Sequence, residues 1–281
     1  MIDWKLILSR IWEHVAAAGI STGLLLLILG CFVLLAALLQ GVTCLLRTRW
    51  FELLGERSWT LLAMPGTIVH ETGHAIFCLL FRHKIEEMKL FAPMPDGTLG
   101  YVRHTWEKKS LFQRAGNFFI GTGPVIFGTC VIIAVTAFLM PEVWREMELP
   151  PCHTPGDMAA GALSLTCRMV RELFQAELWT KFQSYLWIGI TLLIGAHVTL
   201  SRSDLENAGS GALLLPLLLF LLDLAVIHWV DPAELLLRRG GSFLAGALAA
   251  VVFVLLILTG FTLLIYLPVF RKDSPKAARR K

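Results

Sequence analysis

The pentapeptide His70-Glu71-Thr72-Gly73-His74 combines residue types that can hold and use a metal ion. On a helix, residues four apart lie on one face with β-carbons about 5–6 Å apart, so His70 and His74 can offer imidazole nitrogens to one zinc ion. Zinc lowers the pKa of a bound water towards about 7, and a glutamate placed like Glu71 can accept that proton. The pattern predicts hydrolysis of peptide bonds with Glu71 as general base.

The motif lies in the middle of an apolar segment. Between Ser58 and Phe81, the only acidic or basic side chains are His70, Glu71 and His74. Ionisable groups deep in a membrane span are costly, so they indicate a functional site. The alternatives are a chance match and histidines that bond to neighbouring helices, and both explain this position less well.

The composition is that of a membrane protein. The chain has 281 residues, of which 56% are hydrophobic and 16% charged, and its mean hydropathy is +0.67. A helical span needs roughly 20 mostly apolar residues. The fold class predicted is an all-α polytopic membrane protein, one domain over 1–270 with about six transmembrane helices, at 15–46, 58–81, 115–141, 182–201, 207–230 and 240–270. The span over 207–230 requires that Asp223 be tolerated.

Basic residues orient these spans. With both termini in the cytoplasm, the inner segments hold 16 basic residues and the outer segments 9, which follows the tendency of Lys and Arg to stay inside. The tail over 271–281 is strongly basic. After a final span, such a tail favours contact with anionic lipid head groups over nucleic acid.

A short insertion follows the motif-containing span. The segment Lys84–His104 alternates apolar and polar residues around an Asp96-Gly97 turn signal, which predicts a β-hairpin. An exposed strand there could hold an extended substrate by strand addition, or the segment could be a solvated loop. Further along, Cys152 and Cys167 share one loop and could form a disulfide if that loop is extracytoplasmic.

The zinc site needs a further ligand. A catalytic zinc usually has three protein ligands and a water, so one more side chain must come from another part of the chain. The candidates on the later spans are His197, Asp204, Asp223 and His228.

Three segments together resemble the site-2-protease family of intramembrane zinc metalloproteases. They are the His70–His74 motif inside a span, Gly121-Thr122-Gly123-Pro124 in the next span, and Leu200-Ser201-Arg202-Ser203-Asp204-Leu205 opening a later one. The resemblance covers roughly Leu61 to Leu215. The fuller Asn-Pro-x-Pro-x-Leu-Asp-Gly version of the last segment is absent, so the chain is similar to a short, divergent branch of the family.

The resemblance implies roles for individual residues. Asp204 would be the third ligand of one Zn²⁺ ion, and Gly123 and Pro124 would lie beside the active site and contact substrate. The substrate would be a membrane-anchored protein, and the enzyme would reside in a membrane of the bacterial cytoplasmic type.

Two other functions fit parts of the sequence. A catalytically inactive member of the same fold could act as a membrane scaffold or bind a partner, although a scaffold does not need Glu71. A transporter could use intramembrane histidines and Asp223, but the chain lacks the repeat symmetry that many secondary transporters have.

Overall fold

The computed structural model describes residues 4–145, 155–173, 175, 177, 180–197, 199–226, 257 and 260. Over this part of the chain the protein is mostly helical, with one small sheet. The elements are α1 (Trp4–Leu54), α2 (Glu56–Leu80), β1 (Lys84–Lys89), β2 (Tyr101–Thr105), α3 (Leu111–Leu139), α4 (Pro141–Arg145), α5 (Pro155–Leu173), α6 (Phe182–Gly195), α7 (Arg202–Ala212) and α8 (Leu215–Val226).

The helix α2 carries the histidine motif and is bounded by two unusual backbone conformations. Gly55 has a φ of 74°, a left-handed conformation that glycine adopts at no steric cost, and it separates α1 from α2. At the other end, Arg82 has a φ of 58°, and the His83 amide donates to the Cys78 carbonyl. The chain therefore turns directly from α2 into the first strand.

The predicted hairpin after this helix is confirmed. Strands β1 and β2 are antiparallel, with Lys89 opposite Tyr101. In the connection, the Asp96 carboxylate accepts a hydrogen bond from the Thr98 amide at 2.9 Å, and Gly97 has a φ of 86°. The Asp-Gly pair thus supplies both the side-chain acceptor and the positive φ that a tight turn requires.

Small residues let α3 pack closely against α2 and α7. A β-carbon on Gly73 of α2 would lie 2.8 Å from the Gly123 carbonyl oxygen of α3, a separation that real β-carbons do not show. A β-carbon on Gly121 of α3 would overlap the Asp204 carbonyl oxygen of α7. The backbones of three helices therefore approach one another at one level.

Apolar side chains hold α6 and the start of α7 against α3. Trp187 of α6 is buried and donates to the Thr136 hydroxyl of α3 at 2.9 Å. One buried cluster joins α3 to α6 and to the turn before α7, and it contains Val125, Ile132, Leu192, Ile194 and Leu200. This packing places the α6–α7 turn beside the middle of α2.

The predicted spans that fall on described residues correspond to helices of different lengths. Among the described residues, Leu111–Leu139 is long and apolar enough to cross a membrane, and Arg202–Ala212 with Leu215–Ala225 makes a second span if this pair, bent by 50°, is counted as one. The expectation of about six transmembrane helices is therefore not supported by the described part of the chain. One reason is that Phe182–Gly195 has 14 residues, fewer than the roughly 20 that a span needs.

The predicted span over 207–230 is also interrupted. It divides at Leu213 and Leu214 into the polar helix α7 and the apolar helix α8. The predicted spans over 15–46, 58–81 and 115–141 fall within or nearly coincide with α1, α2 and α3.

Three predictions fall wholly or mostly on parts of the chain that are not described. These are the span over 240–270, apart from residues 257 and 260, the basic tail over 271–281, and the disulfide between Cys152 and Cys167. Cys167 is a free, exposed cysteine, and Cys152 lies outside the described residues.

Candidate metal centre and its cavity

The two motif histidines face each other across one turn of α2. Their Nε2 atoms are 3.3 Å apart. The Nδ1 atom of His70 is 2.9 Å from the His197 carbonyl oxygen, and that of His74 is 2.8 Å from the Ile120 carbonyl oxygen. Because a carbonyl oxygen only accepts, each Nδ1 carries the hydrogen and each neutral ring keeps a lone pair on Nε2. Both rings are thus oriented as metal ligands.

Asp204 completes the group. Its Oδ1 is 3.1 Å from His74 Nε2, and its Oδ2 is 3.6 Å from His70 Nε2. One ligand atom from each of the three residues lies within 4.8 Å of the others, so the group could hold a metal ion. The structure therefore brings together the three residues that were expected to be ligands, although they are up to 134 positions apart in the chain.

The local sequence around Asp204 explains how its carboxylate is aimed. Ser201 is the N-cap of α7; its hydroxyl accepts from the Asp204 amide, and Asp204 Oδ2 accepts from the Ser201 amide at 2.7 Å. This capping box is common at helix starts and needs no metal. Here it also leaves Oδ1 directed at His74, so the same carboxylate serves the cap and the candidate metal centre.

Glu71 lies beside the three ligands without being one of them. It is 7% exposed, and its carboxylate has no hydrogen-bond partner among the described residues. Gly100, from the segment before β2, lies so close that a β-carbon there would be 2.9 Å from Glu71 Cγ. A buried carboxylate without a hydrogen-bond partner is unfavourable for folding, so its presence here indicates a functional role rather than a structural one.

A cavity of about 580 Å³ opens over this group. Its floor is formed by the motif histidines and Glu71, and the hairpin supplies one wall through residues 97–102 and His104. Residues of the α6–α7 turn and Gln40 and Thr43 of α1 also line the cavity. Many of these groups are polar, so the space suits water and a polar substrate segment.

Gly123 and Pro124 lie outside the lining of the cavity. Both are buried in α3 against Gly73 of α2, and neither lines the cavity. Their observed role is to bring the backbone of α3 close to the motif helix, and the substrate contact inferred for them stays a prediction.

The rival ligands also have identifiable surroundings. The His197 ring bonds to the Leu193 carbonyl at 3.1 Å and stacks on Trp59, and its own backbone carbonyl orients His70. Asp223 accepts a hydrogen bond from the Thr22 hydroxyl of α1 at 2.8 Å. His228 lies outside the described residues.

Sequence reasoning missed a second histidine pair at the edge of the cavity. His104 of β2 lines the cavity, and its Nδ1 is 3.0 Å from the Nδ1 of the buried His83. Burial lowers the pKa of both rings. For His104, burial together with the neighbouring His83 and His74 lowers the pKa from 6.5 to about 4. The signal in the sequence was a histidine at an alternating position of the predicted hairpin.

Sequence reasoning also missed the backbone contacts that orient the ligands. Gly66, one residue after a proline inside α2, leaves room for the His197 ring and the Leu193 carbonyl, which a β-carbon would overlap. This contact holds the His197 carbonyl next to His70. A glycine at a helix crossing is a recognisable signal, but its partner is not written in the sequence.

No protein-family model matches the chain, and comparisons with curated proteins and with solved structures also find no match.

Proposed function

We propose that this protein is an intramembrane zinc metalloprotease that hydrolyses a peptide bond of a membrane-anchored protein. The observation that carries the proposal is the convergence of His70 Nε2, His74 Nε2 and the Asp204 carboxylate next to the uncommitted carboxylate of Glu71. Two nitrogen ligands, one oxygen ligand and an adjacent acid make the donor set of a hydrolytic zinc site.

The residues present suit a catalytic zinc site better than a purely structural arrangement. Three protein ligands leave one position open, as catalytic sites require, and each histidine is held by a backbone carbonyl on its second nitrogen. When bound there, zinc would supply Lewis acidity, which lowers the pKa of water and polarises a carbonyl.

Glu71 provides the proton transfers. Its carboxylate would take a proton from the attacking water and later give it to the nitrogen of the leaving amine. It faces a cavity rather than a fixed partner, so it is free to exchange a proton with water or substrate. A non-catalytic scaffold gives no reason for a buried carboxylate in this position.

The hairpin offers a way to hold the substrate. Its β2 end and the preceding segment form a wall of the cavity next to Glu71. Proteases cleave extended chains, and an extended segment could pair with backbone groups along this wall. A transmembrane substrate would unwind first, so a glycine or proline near its cleavage site should favour cleavage.

The surface supports the membrane part of the proposal. Large apolar side chains are exposed on α1 and on several later helices, which suits contact with lipid. Examples are Leu8, Trp12, Leu34, Leu61, Leu79, Phe138 and Phe182. We propose that these helices contact lipid, that the chain crosses the membrane about six times, and that both termini are cytoplasmic.

The test uses the purified full chain in liposomes. The probe is a panel of reporters, each with one transmembrane helix, with or without a central Gly-Pro. We expect about one zinc per chain, cleavage that stops with a chelator and returns with zinc, and cleavage lost in Glu71→Gln at unchanged zinc content. The exposed Glu107 gives the matched control Glu107→Gln, which should cleave normally.

Two outcomes would count against the proposal. Equal cleavage by Glu71→Gln and the wild type would show that Glu71 is not the base. The scaffold function would be favoured if zinc binds but no reporter is cleaved, and if a cellular phenotype survives Glu71→Gln but not deletion of the protein.

A further inference from the structure

His104 is the one side chain of the second histidine pair that reaches the cavity. It lies on β2, opposite Ile85 of β1, and it lines the same space as Glu71 and His74. Its Nδ1 is turned towards His83, and its Nε2 has no hydrogen-bond partner among the described residues. The polar atom that His104 leaves for the cavity is therefore Nε2.

A chain of hydrogen bonds determines the tautomer of this ring. The Gln113 backbone carbonyl, 2.8 Å from His83 Nε2, can only accept, so His83 carries its hydrogen on Nε2. In the neutral ring, His83 Nδ1 is then an acceptor, and the 3.0 Å contact requires His104 to donate from its own Nδ1. His104 Nε2 is left as a lone-pair acceptor.

The surroundings hold this arrangement in place. The Gln113 side chain donates to the Arg82 carbonyl at 2.8 Å and accepts from the Glu107 amide at 2.6 Å, which ties α3 to both ends of the hairpin. The Trp106 ring stacks on His83 with centroids 6.1 Å apart. The burial that lowers the pKa of both imidazoles keeps them neutral near pH 7.

We propose that His104 is a substrate-binding residue, whose Nε2 accepts a hydrogen bond from a backbone N–H of the peptide to be cleaved. This inference rests on the proposed protease function and deepens it. The extended peptide has one N–H per residue to donate, and the zinc-site carboxylates are already committed to ligands, capping or proton transfer. His83 is the positioning residue, because it acts only through the tautomer of His104.

Two substitutions separate the two nitrogens of the ring. In His104→Asn, the amide lies where Nδ1 was, so the contact to His83 is kept and the cavity acceptor is lost. In His104→Gln, the longer side chain places an amide oxygen near the position of Nε2, so the acceptor is restored. We expect KM for a reporter to rise about three- to tenfold in His104→Asn, with kcat little changed, as for loss of one neutral hydrogen bond.

The conservative variant and the zinc content make the test specific. His104→Gln should keep KM within about twofold of the wild type, and both variants should bind about one zinc per chain. A merely structural role would instead make Asn the milder change, because Asn preserves the bond to His83.

The outcomes are separable from those of the proposed function. The role of His104 alone would be overturned if the wild type shows Glu71-dependent cleavage and KM is unchanged in His104→Asn. A KM raised more in His104→Gln than in His104→Asn would overturn it as well. Absence of zinc-dependent cleavage by the wild type would overturn the protease function and this inference with it.

Discussion

Both rings of the first histidine pair and only His104 of the second line the cavity, and the two pairs differ in how their nitrogens are used. In the pair on α2, both Nδ1 atoms bond to backbone carbonyls, and both Nε2 atoms converge on Asp204. In the pair at the hairpin, the two Nδ1 atoms bond to each other, and no carboxylate joins them among the described residues. Only the first arrangement leaves two lone pairs and an anion directed at one point.

The difference shows that orientation, rather than the presence of histidine, distinguishes a candidate metal centre from a hydrogen-bonded pair. The orienting groups of the first pair are carbonyls of His197 and Ile120, from elements that pack on α2 through glycine contacts. In the second pair, His83 donates to the Gln113 carbonyl and His104 donates to His83. Its remaining acceptor is suited to binding a donor and not to holding a metal ion by itself.

The largest expected effect comes from removing the Asp204 carboxylate, which lies next to the first histidine pair. In Asp204→Ala we expect zinc affinity to fall by more than about 100-fold, because loss of a direct ligand exceeds the cost of losing an outer partner. Metal titration of purified protein measures the change.

Ser201→Ala is the matched control for this substitution. It removes the hydroxyl half of the capping box and keeps the carboxylate. It should lower the free energy of unfolding by about 0.5–2 kcal/mol and retain zinc at one per chain. An equal loss of zinc in both variants would mean that Asp204 acts as a cap and not as a ligand.

The next prediction concerns the close packing of α3 against α7, which brings Asp204 to the histidines. In Gly121→Ala, the new methyl group would overlap the Asp204 carbonyl and push α7 from α3, so zinc affinity should fall about tenfold or more. Gly209 of α7 has open space around it within the described part of the chain, and Gly209→Ala should leave zinc affinity unchanged. Metal titration of both variants checks this, and similar affinities would argue against the role of the close contact.

A smaller effect is expected at Gly100, in the hairpin segment that packs against Glu71. In Gly100→Ala, the methyl group would lie 2.9 Å from Glu71 Cγ and 2.8 Å from the Leu90 carbonyl oxygen. We expect kcat to fall about tenfold at unchanged zinc content, because small misplacements of a general base slow the reaction strongly.

Gly189 of α6 provides the comparison for this variant. A β-carbon on Gly189 would meet no atom of the described residues within 4 Å, so Gly189→Ala should retain both kcat and zinc. A Gly100→Ala variant with wild-type kcat would show that the hairpin does not constrain Glu71.

The smallest effect concerns the charge of the second pair. The pKa of His104 is lowered from 6.5 to about 4 in the folded protein, so the unfolded chain binds this proton more readily. The related stability is fully present above about pH 6.5 and is lost as the pH falls through about 4. The protection of the hairpin amides against hydrogen exchange, expressed relative to the intrinsic exchange rate at each pH, should therefore fall over this window.

His104→Asn removes the titrating group and should flatten that part of the pH profile. The buried His83 remains, and its pKa is also lowered by burial, so a weaker dependence in the same direction should persist. An identical profile in wild type and variant would assign the effect to other groups.

Much of the local structure was predictable. The helix around His70 and the hairpin with its Asp96-Gly97 turn follow from short-range patterns, and the structure has both of them. The number of spans was less predictable. Apolar runs indicate burial in lipid or protein, but run length does not reveal a 14-residue helix or the break after Ala212.

The sequence by itself determined which residues could carry the chemistry. The spacing of His70 and His74 and the acid between them are properties of a single helix. Only the tertiary structure decided that Asp204, rather than His197 or Asp223, meets the histidines, and that His104 reaches the cavity. The physical reason is that these contacts depend on how closely glycine-bearing helices approach and on which backbone carbonyls they present, and both arise only when distant segments pack.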